Sequence, residues 1–203
     1  MGHSEKVLVM RIFIAALVLI FSLQSWTKAD DIRDFEIEGM SIGDSLLNHF
    51  TEKQINNAKK TFYQNDKYYD VQLDLNNYET WPILSISVEK NDKNYIVHSM
   101  AGAEFINSLN ECNKMSKIIV NDLKKTFNNF NLDKYEYVYD HLADGKSIAY
   151  ITDFVVNNGK YRVYCTDWSV KTENEFGYAD NIRMEAGSNK YYYWLDNEST
   201  TSN

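Results

Sequence analysis

The sequence predicts an α+β fold. An antiparallel sheet built from hairpins should carry one long amphipathic helix, with two short helices ahead of it. Three observations predict this. Apolar and polar residues alternate at period two over 69–75 and 84–88. The dipeptide Asn158-Gly159, which favours a tight hairpin turn, separates two further alternating runs, 147–156 and 160–168. Between the two hairpin regions, over 104–130, the apolar positions step by three and four instead.

The chain begins with a targeting signal on this reading. Residues 12–26, IFIAALVLIFSLQSW, follow Arg11 and are mostly apolar. The run is too short and too poorly flanked to span a membrane, and Thr27-Lys28-Ala29 offers a small residue for cleavage. Residues 1–29 are therefore expected to be a signal peptide, with Met1 or Met10 as the start. Residues 30–196 then form one domain and 197–203 a loose polar tail. No Cys follows Ala29 to carry a lipid, and Lys6 stands where a myristoylation signal needs Ser or Thr. The expected location is the periplasm or the medium, with no stable membrane anchor after cleavage.

Residues 34–40 read as a short strand or an extended lead-in. Ser41-Ile-Gly-Asp44 fits a capping box, with Asp44 as the other candidate cap. A short helix burying Leu46, Leu47 and Phe50 should come next. Thr51-Glu-Lys-Gln54 is a second capping box and opens a helix over 52–60, marked by Ile55 and Ala58. Strands over 69–75, 84–88 and 95–101 should pair antiparallel and bury one face. In 104–130, Phe105, Leu109, Cys112, Met115, Ile119, Leu123, Phe127 and Phe130 form one stripe, which reads as core and not as a cofactor box. Either Ser169 or Asp167 caps a short helix through Phe176, with Gly177 closing it. Ile182, Met184 and Ala186 alternate with Arg183 and Glu185 in a last strand. Residues 188–195 are either a terminal helical turn or an aromatic strand.

Charge narrows the partners. Residues 30–203 carry 18 basic and 28 acidic side chains, a net charge of −10. Such a surface repels phosphate backbones, so no nucleic-acid partner is expected, and none of the motifs asks for a cofactor. The two cysteines of that segment, Cys112 and Cys165, are the arithmetic of one disulfide in an oxidising compartment. Each falls on the apolar parity of its element. The other reading makes Cys165 a thiol nucleophile beside His141, which pairing would forbid.

Gly43-Asp44-Ser45-Leu46 resembles the nucleophile block of GDSL esterases and lipases, also in its nearness to the start of the mature chain. That resemblance would make Ser45 the nucleophile of a periplasmic hydrolase. Those enzymes also carry a Gly-x-Asn-Asp block and a late Asp-x-x-His. Here no Gly opens such a block, and Leu46, Tyr95 and Val138 stand three positions before His49, His98 and His141. A triad is recognised by all its members, so Ser45 reads better as helix-start chemistry. It stays a weak catalytic candidate.

Asp140, His141 and Asp144 form the best cluster for a weak metal or polar ligand. Gly145-Lys146-Ser147 mimics the end of a P-loop, but Asp140 stands where its first Gly belongs. A calcium loop fails as well, because Leu142 and Ile151 occupy ligand positions. The plain alternative is a polar turn. Trp168, Trp81 and the run Tyr191-Tyr192-Tyr193-Trp194 could offer an aromatic surface to sugars or a partner. Three consecutive Tyr in a strand cannot all face inward, so at least one should be exposed.

The stretch from Ile37 to Leu47, IEGMSIGDSLL, resembles the N-terminal motif of uncharacterised exported proteins from Pelagibacter-like marine bacteria. Glu111-Cys112, Gly145-Lys146-Ser147 and Cys165-Thr166-Asp167-Trp168 are similar too. The resemblance implies an exported α+β domain with the same cysteine pair; it carries over no activity. The sequence reading thus expects an exported binding or interaction module for a protein or small-molecule ligand, with a GDSL-type hydrolase as the alternative.

Overall fold

The computed structural model describes residues 30–199, apart from Phe35, residues 74–80 and Pro82. The expected signal peptide and the end of the tail lie outside the described residues. The architecture is α+β around an eight-stranded, wholly antiparallel sheet of order β3-β4-β5-β6-β10-β9-β8-β7. The strands are β3 (Lys59–Phe62), β4 (Tyr68–Gln72), β5 (Ile83–Glu89), β6 (Val97–Phe105), β7 (Asn131–Val138), β8 (Ile148–Val156), β9 (Gly159–Asp167) and β10 (Asn181–Ser188). Two meanders, β3 to β6 and β7 to β9, are joined by β10, which returns last and fills the gap between them.

The N-terminal segment differs from expectation. Glu36–Ile37 (β1) and Met40–Ser41 (β2) make a separate small hairpin. Its turn residues Glu38 and Gly39 both have positive φ, as a type I′ turn requires. Ser41 thus lies in a strand instead of capping a helix, and its amide donates to the Asp44 carboxylate at 2.8 Å. Ser45 is the cap, and it opens a 3-10 turn, Leu46–Asn48, rather than an α-helix. Leu46 is buried there and Leu47 exposed. Thr51 and Gln54 do form a reciprocal capping box, at the start of α1 (Glu52–Asn57). That helix stops early because Lys59–Phe62 pairs with β4 as the edge strand β3.

The long helix α2 is Leu109–Thr126, shorter at both ends than the apolar stripe suggests. Glu104 and Phe105 finish β6, which leaves Phe105 at 62% exposure. Ser108 caps α2 through the Glu111 amide. The chain leaves the helix at Phe127, which is buried beyond its last turn.

α2 packs across β9 and β10 on one side of the sheet, the first face. Cys112, Met115, Ile119, Val120 and Leu123 meet Val163, Cys165, Ile182, Met184 and Ala186 in one core. Each large apolar side chain contributes about 1.5–3 kcal/mol when fully buried. Cys112 and Cys165 are joined as a disulfide, with Cα atoms 5.8 Å apart. Ile37, Met40, Leu46 and Ile55 extend the same core, and Ile32 joins it beside β9 and β10.

The turn between β8 and β9 sits one residue earlier than the Asn158-Gly159 dipeptide suggests. Val156 pairs with Gly159, so Asn157 and Asn158 make the turn and only Asn158 has positive φ. Gly159 is needed for another reason. A Cβ there would stand 2.3 Å from the Gly187 carbonyl oxygen.

Two short helices complete the fold. Ser169 caps α3 (Val170–Phe176), and Gly177 closes it at φ 70. Ser188 caps α4 (Asn189–Asn197), which resolves the ambiguity over 188–195 in favour of helix. α4 lies on the second face, against β10, β9 and β6. Strands β4 to β6 are therefore buried on both faces, not on one. The tail is not loose from 197 either: Ser199 is buried, and its hydroxyl donates to the Leu195 carbonyl at 2.6 Å.

Candidate ligand-binding face of the sheet

The second face carries most of the polar side chains that the fold draws inward. Strand register arranges them in rows across the sheet. One row reads Val155, Lys160, Gly187, Ser99, Ser87, Asp70 from β8 to β4. The next reads Asp153, Arg162, Glu185, Ala101, Ser85, Gln72. The third reads Tyr135, Ile151, Tyr164, Arg183, Ala103, Ile83 from β7 to β5.

α4 roofs the first two rows. Tyr191 and Tyr192 straddle Gly187, where a Cβ would come within 2.8 Å of the Tyr192 ring. On one side, Lys160 lies 4.2 Å from the centroid of the Tyr192 ring. Beneath it, Arg162 grips Asp153 through two nitrogens, at 2.8 and 3.0 Å, and donates to the Tyr135 hydroxyl at 2.8 Å. Burial pushes the Asp153 carboxyl up, but Arg162 and Lys160 outweigh it and hold it below its ordinary value. Burial, with Asp153 nearby, pushes the Tyr135 hydroxyl up to about 12.

On the other side, Ser87 and Tyr63 donate to Asp70 at 2.6 and 3.0 Å, and the Tyr63 and Tyr191 hydroxyls meet at 3.3 Å. Tyr68, Tyr191, Tyr192 and Trp194 form a second aromatic core here. The His98 ring meets Tyr68 edge-on at 5.0 Å.

Beyond α4 the third row is partly exposed. None of its six residues is buried, whereas Asp153, Glu185, Ala101 and Ser85 in the adjacent row all are. Arg183 stands in the middle of this strip. Its Nε is shut off from solvent without a hydrogen-bond partner, and it forms no ion pair among the described residues. Neighbouring Tyr164 and then Glu185 raise its pKa against the opposing effect of burial, so it stays charged. Burial raises the Tyr164 hydroxyl, which keeps its proton and can donate. Tyr192 has a buried hydroxyl without a partner as well.

A ladder of rings borders the strip on its far side. Tyr137 meets Tyr139 at 4.9 Å, Tyr139 meets Trp168 at 4.8 Å, and Trp168 meets Tyr178 at 4.8 Å. Phe176 stacks on Tyr178 at 5.6 Å. Tyr137, Phe176 and Tyr178 are all exposed.

The residues singled out from sequence scatter across this frame. The Ser45 hydroxyl donates to the Asn94 carbonyl and accepts from the Leu47 amide; no histidine is among its hydrogen-bond partners. Asp144 does not converge with Asp140 and His141 on a ligand. Its carboxylate accepts from Ser169 at 2.6 Å and supports the start of α3, while His141 and Asp140 stand 3.7 Å apart at the exposed surface. Among the described residues no three His, Cys, Asp or Glu side chains are placed to hold a metal. Ser147 of the P-loop-like triplet is buried and donates to Thr172.

The expected aromatic surface divides into three places. Tyr191, Tyr192 and Trp194 are core, and only Tyr193 of that run is exposed, at 65%. Trp81 covers Gly102 on the first face. Trp168 alone belongs to the ring ladder. Sequence reasoning missed Arg183, Tyr164 and Tyr139. The signal for the first two was the polar parity of 160–166 and 181–187, which reads equally as a plain solvent face.

Comparison with protein-family models, with curated proteins and with solved structures finds no match. No helix among the described residues is long and apolar enough to cross a membrane.

Proposed function

We propose that the chain is an exported, non-catalytic binding domain whose ligand lies on the partly exposed strip of the second face. The observation that supports this is the contrast between rows: no residue of the row through Arg183 is fully buried, whereas four of the six in its neighbour under α4 are. Apolar and aromatic side chains around a few fixed polar donors are the usual lining of a small-molecule site. The disulfide supports an oxidising compartment. The resemblance of 37–47 to exported marine bacterial proteins points the same way. Ser45 is engaged by backbone on both its hydrogen-bonding roles, and both cysteines are bonded to each other, which favours binding over nucleophilic chemistry.

The test is chemical-shift mapping on residues 30–203 with a panel of sugars, amino acids and small organic acids. Saturable shifts gathered on Ile151, Tyr164, Arg183 and Ala103 are expected. Binding that maps elsewhere, or none, would overturn the reading. Fluorophosphonate labelling that disappears in Ser45→Ala would overturn its non-catalytic part.

A further inference from the structure

We infer that Arg183 anchors the carboxylate of a singly charged organic acid, and that Tyr139 and Trp168 receive the ring-shaped body of that ligand. This rests on the binding reading above and names its ligand class.

The three described arginines make the case. Arg33 is paired with Asp31, and Arg162 with Asp153. Arg183, one strand from Arg162 on the same face, has no such partner among the described residues, and its Nε is an orphaned donor. Leaving a buried donor unpaired is costly, and more so for a charged group. A guanidinium is built to take a carboxylate through two parallel N–H groups. The Tyr164 hydroxyl beside it supplies a further donor.

The charge balance selects the kind of anion. Glu185 lies two residues along on the same face of β10, and both it and Asp70 act on Arg183. The local field therefore offers little net positive charge. That suits a monoanion and disfavours a phosphate dianion. Tyr139, close enough to feel the Arg183 charge, links the anchor to Trp168 at 4.8 Å. Trp168 lies four residues beyond Tyr164 along one strand direction, about 13 Å at strand rise. That distance accommodates one ring beyond the carboxylate.

The experiment titrates the protein with benzoate and glucuronate, their neutral counterparts benzyl alcohol and glucose, and inorganic phosphate. Shift mapping and tryptophan fluorescence are the readouts, on wild type, Arg183→Met and Arg183→Lys. At least one acid should bind saturably at the strip, at least tenfold more tightly than its neutral counterpart. Arg183→Met should weaken that acid at least tenfold, and Arg183→Lys, which keeps the charge but not the fork, should weaken it too. Because Arg183 makes no ion pair among the described residues, Arg183→Met should fold with an unchanged or higher melting temperature. Neutral ligands binding the strip as tightly as the acids would overturn the anchor and leave the strip standing. Preferential binding of phosphate would overturn the ligand class. An Arg183→Met variant that fails to fold would make Arg183 structural and overturn the proposal. No shift at the strip with any probe would overturn both this inference and the binding reading.

Discussion

Gly187 lies directly beneath the ring of Tyr192: a Cβ on Gly187 would stand 2.8 Å from Tyr192 Cε2 and 3.3 Å from Tyr191 Cδ1. The close approach lets α4 follow β10 with no intervening loop and settle on the strand it has just left. Gly187→Ala should therefore lift α4. A destabilisation of about 1–3 kcal/mol is expected, as for other overpacked cores. Urea denaturation measures it. In a Tyr192→Ala background the cost of Gly187→Ala should fall by about half or more, since the closest clash is gone. An unchanged cost in that background would place the clash elsewhere.

The disulfide joins the middle of the sheet to the start of α2 across 53 residues of sequence. Closing a loop of that length removes denatured-state entropy worth about 4 kcal/mol in the chain-entropy model. A Cys112→Ala, Cys165→Ala pair should lose about that much and melt at a clearly lower temperature. Calorimetry with and without a reductant checks it. Wild type in reductant should approach the double variant, and the double variant should ignore the reductant.

The cysteine pairing, the long helix and the central strands were legible in the sequence because each lies on a clean period. Cys112 falls on the α2 stripe and Cys165 on the apolar parity of β9. The ends of elements were not legible, because tertiary pairing decided them. Phe105 continues the apolar stripe of α2 but pairs with Asn181 as the last residue of β6. Lys59 and Lys60 look helical in sequence and pair with Gln72 and Val71. The strip on the second face was hidden for a related reason. Alternation marks Arg183 and Arg162 alike as outward residues. Only the three-dimensional arrangement separates a guanidinium paired with Asp153 from one whose Nε has no partner.

Asp153 and Arg162 form a closed ion pair on the second face, with side-chain exposures of 6% and 13%. Removing one partner of such a pair costs about 3–5 kcal/mol, because the other charge is left buried. Asp153→Asn should show a loss of that order at neutral pH in chemical denaturation. The net depression of the Asp153 pKa gives the pH dependence its sign. The pair's contribution is present above the unfolded carboxyl value of about 3.9 and is lost as pH falls through the lower folded value. The gap between wild type and Asp153→Asn should be level above about pH 5 and narrow at lower pH. A gap that stays constant down to about pH 2 would show that the charge on Asp153 does not stabilise the fold.

His98 should give a second, separate pH signature. Burial, then the Lys190 ammonium, lowers its pKa, while Glu89 at 3.8 Å and Asp92 oppose the change and Lys67 adds to it. The folded protein thus holds His98 neutral where the unfolded chain would already be protonated. Below the unfolded value of about 6.5 the unfolded state binds the extra proton first, so stability falls as the pH drops. The fall ends once the pH passes the lower folded value. Carboxylates titrate mostly below that window, which leaves the upper part of the slope to His98. His98→Gln, a neutral side chain of similar reach, should flatten stability between about pH 7 and 6 while the acid limb, to which Asp153 contributes, remains. Denaturation midpoints at half-unit pH steps on both proteins decide it. A slope that survives in His98→Gln would assign the titration to another group.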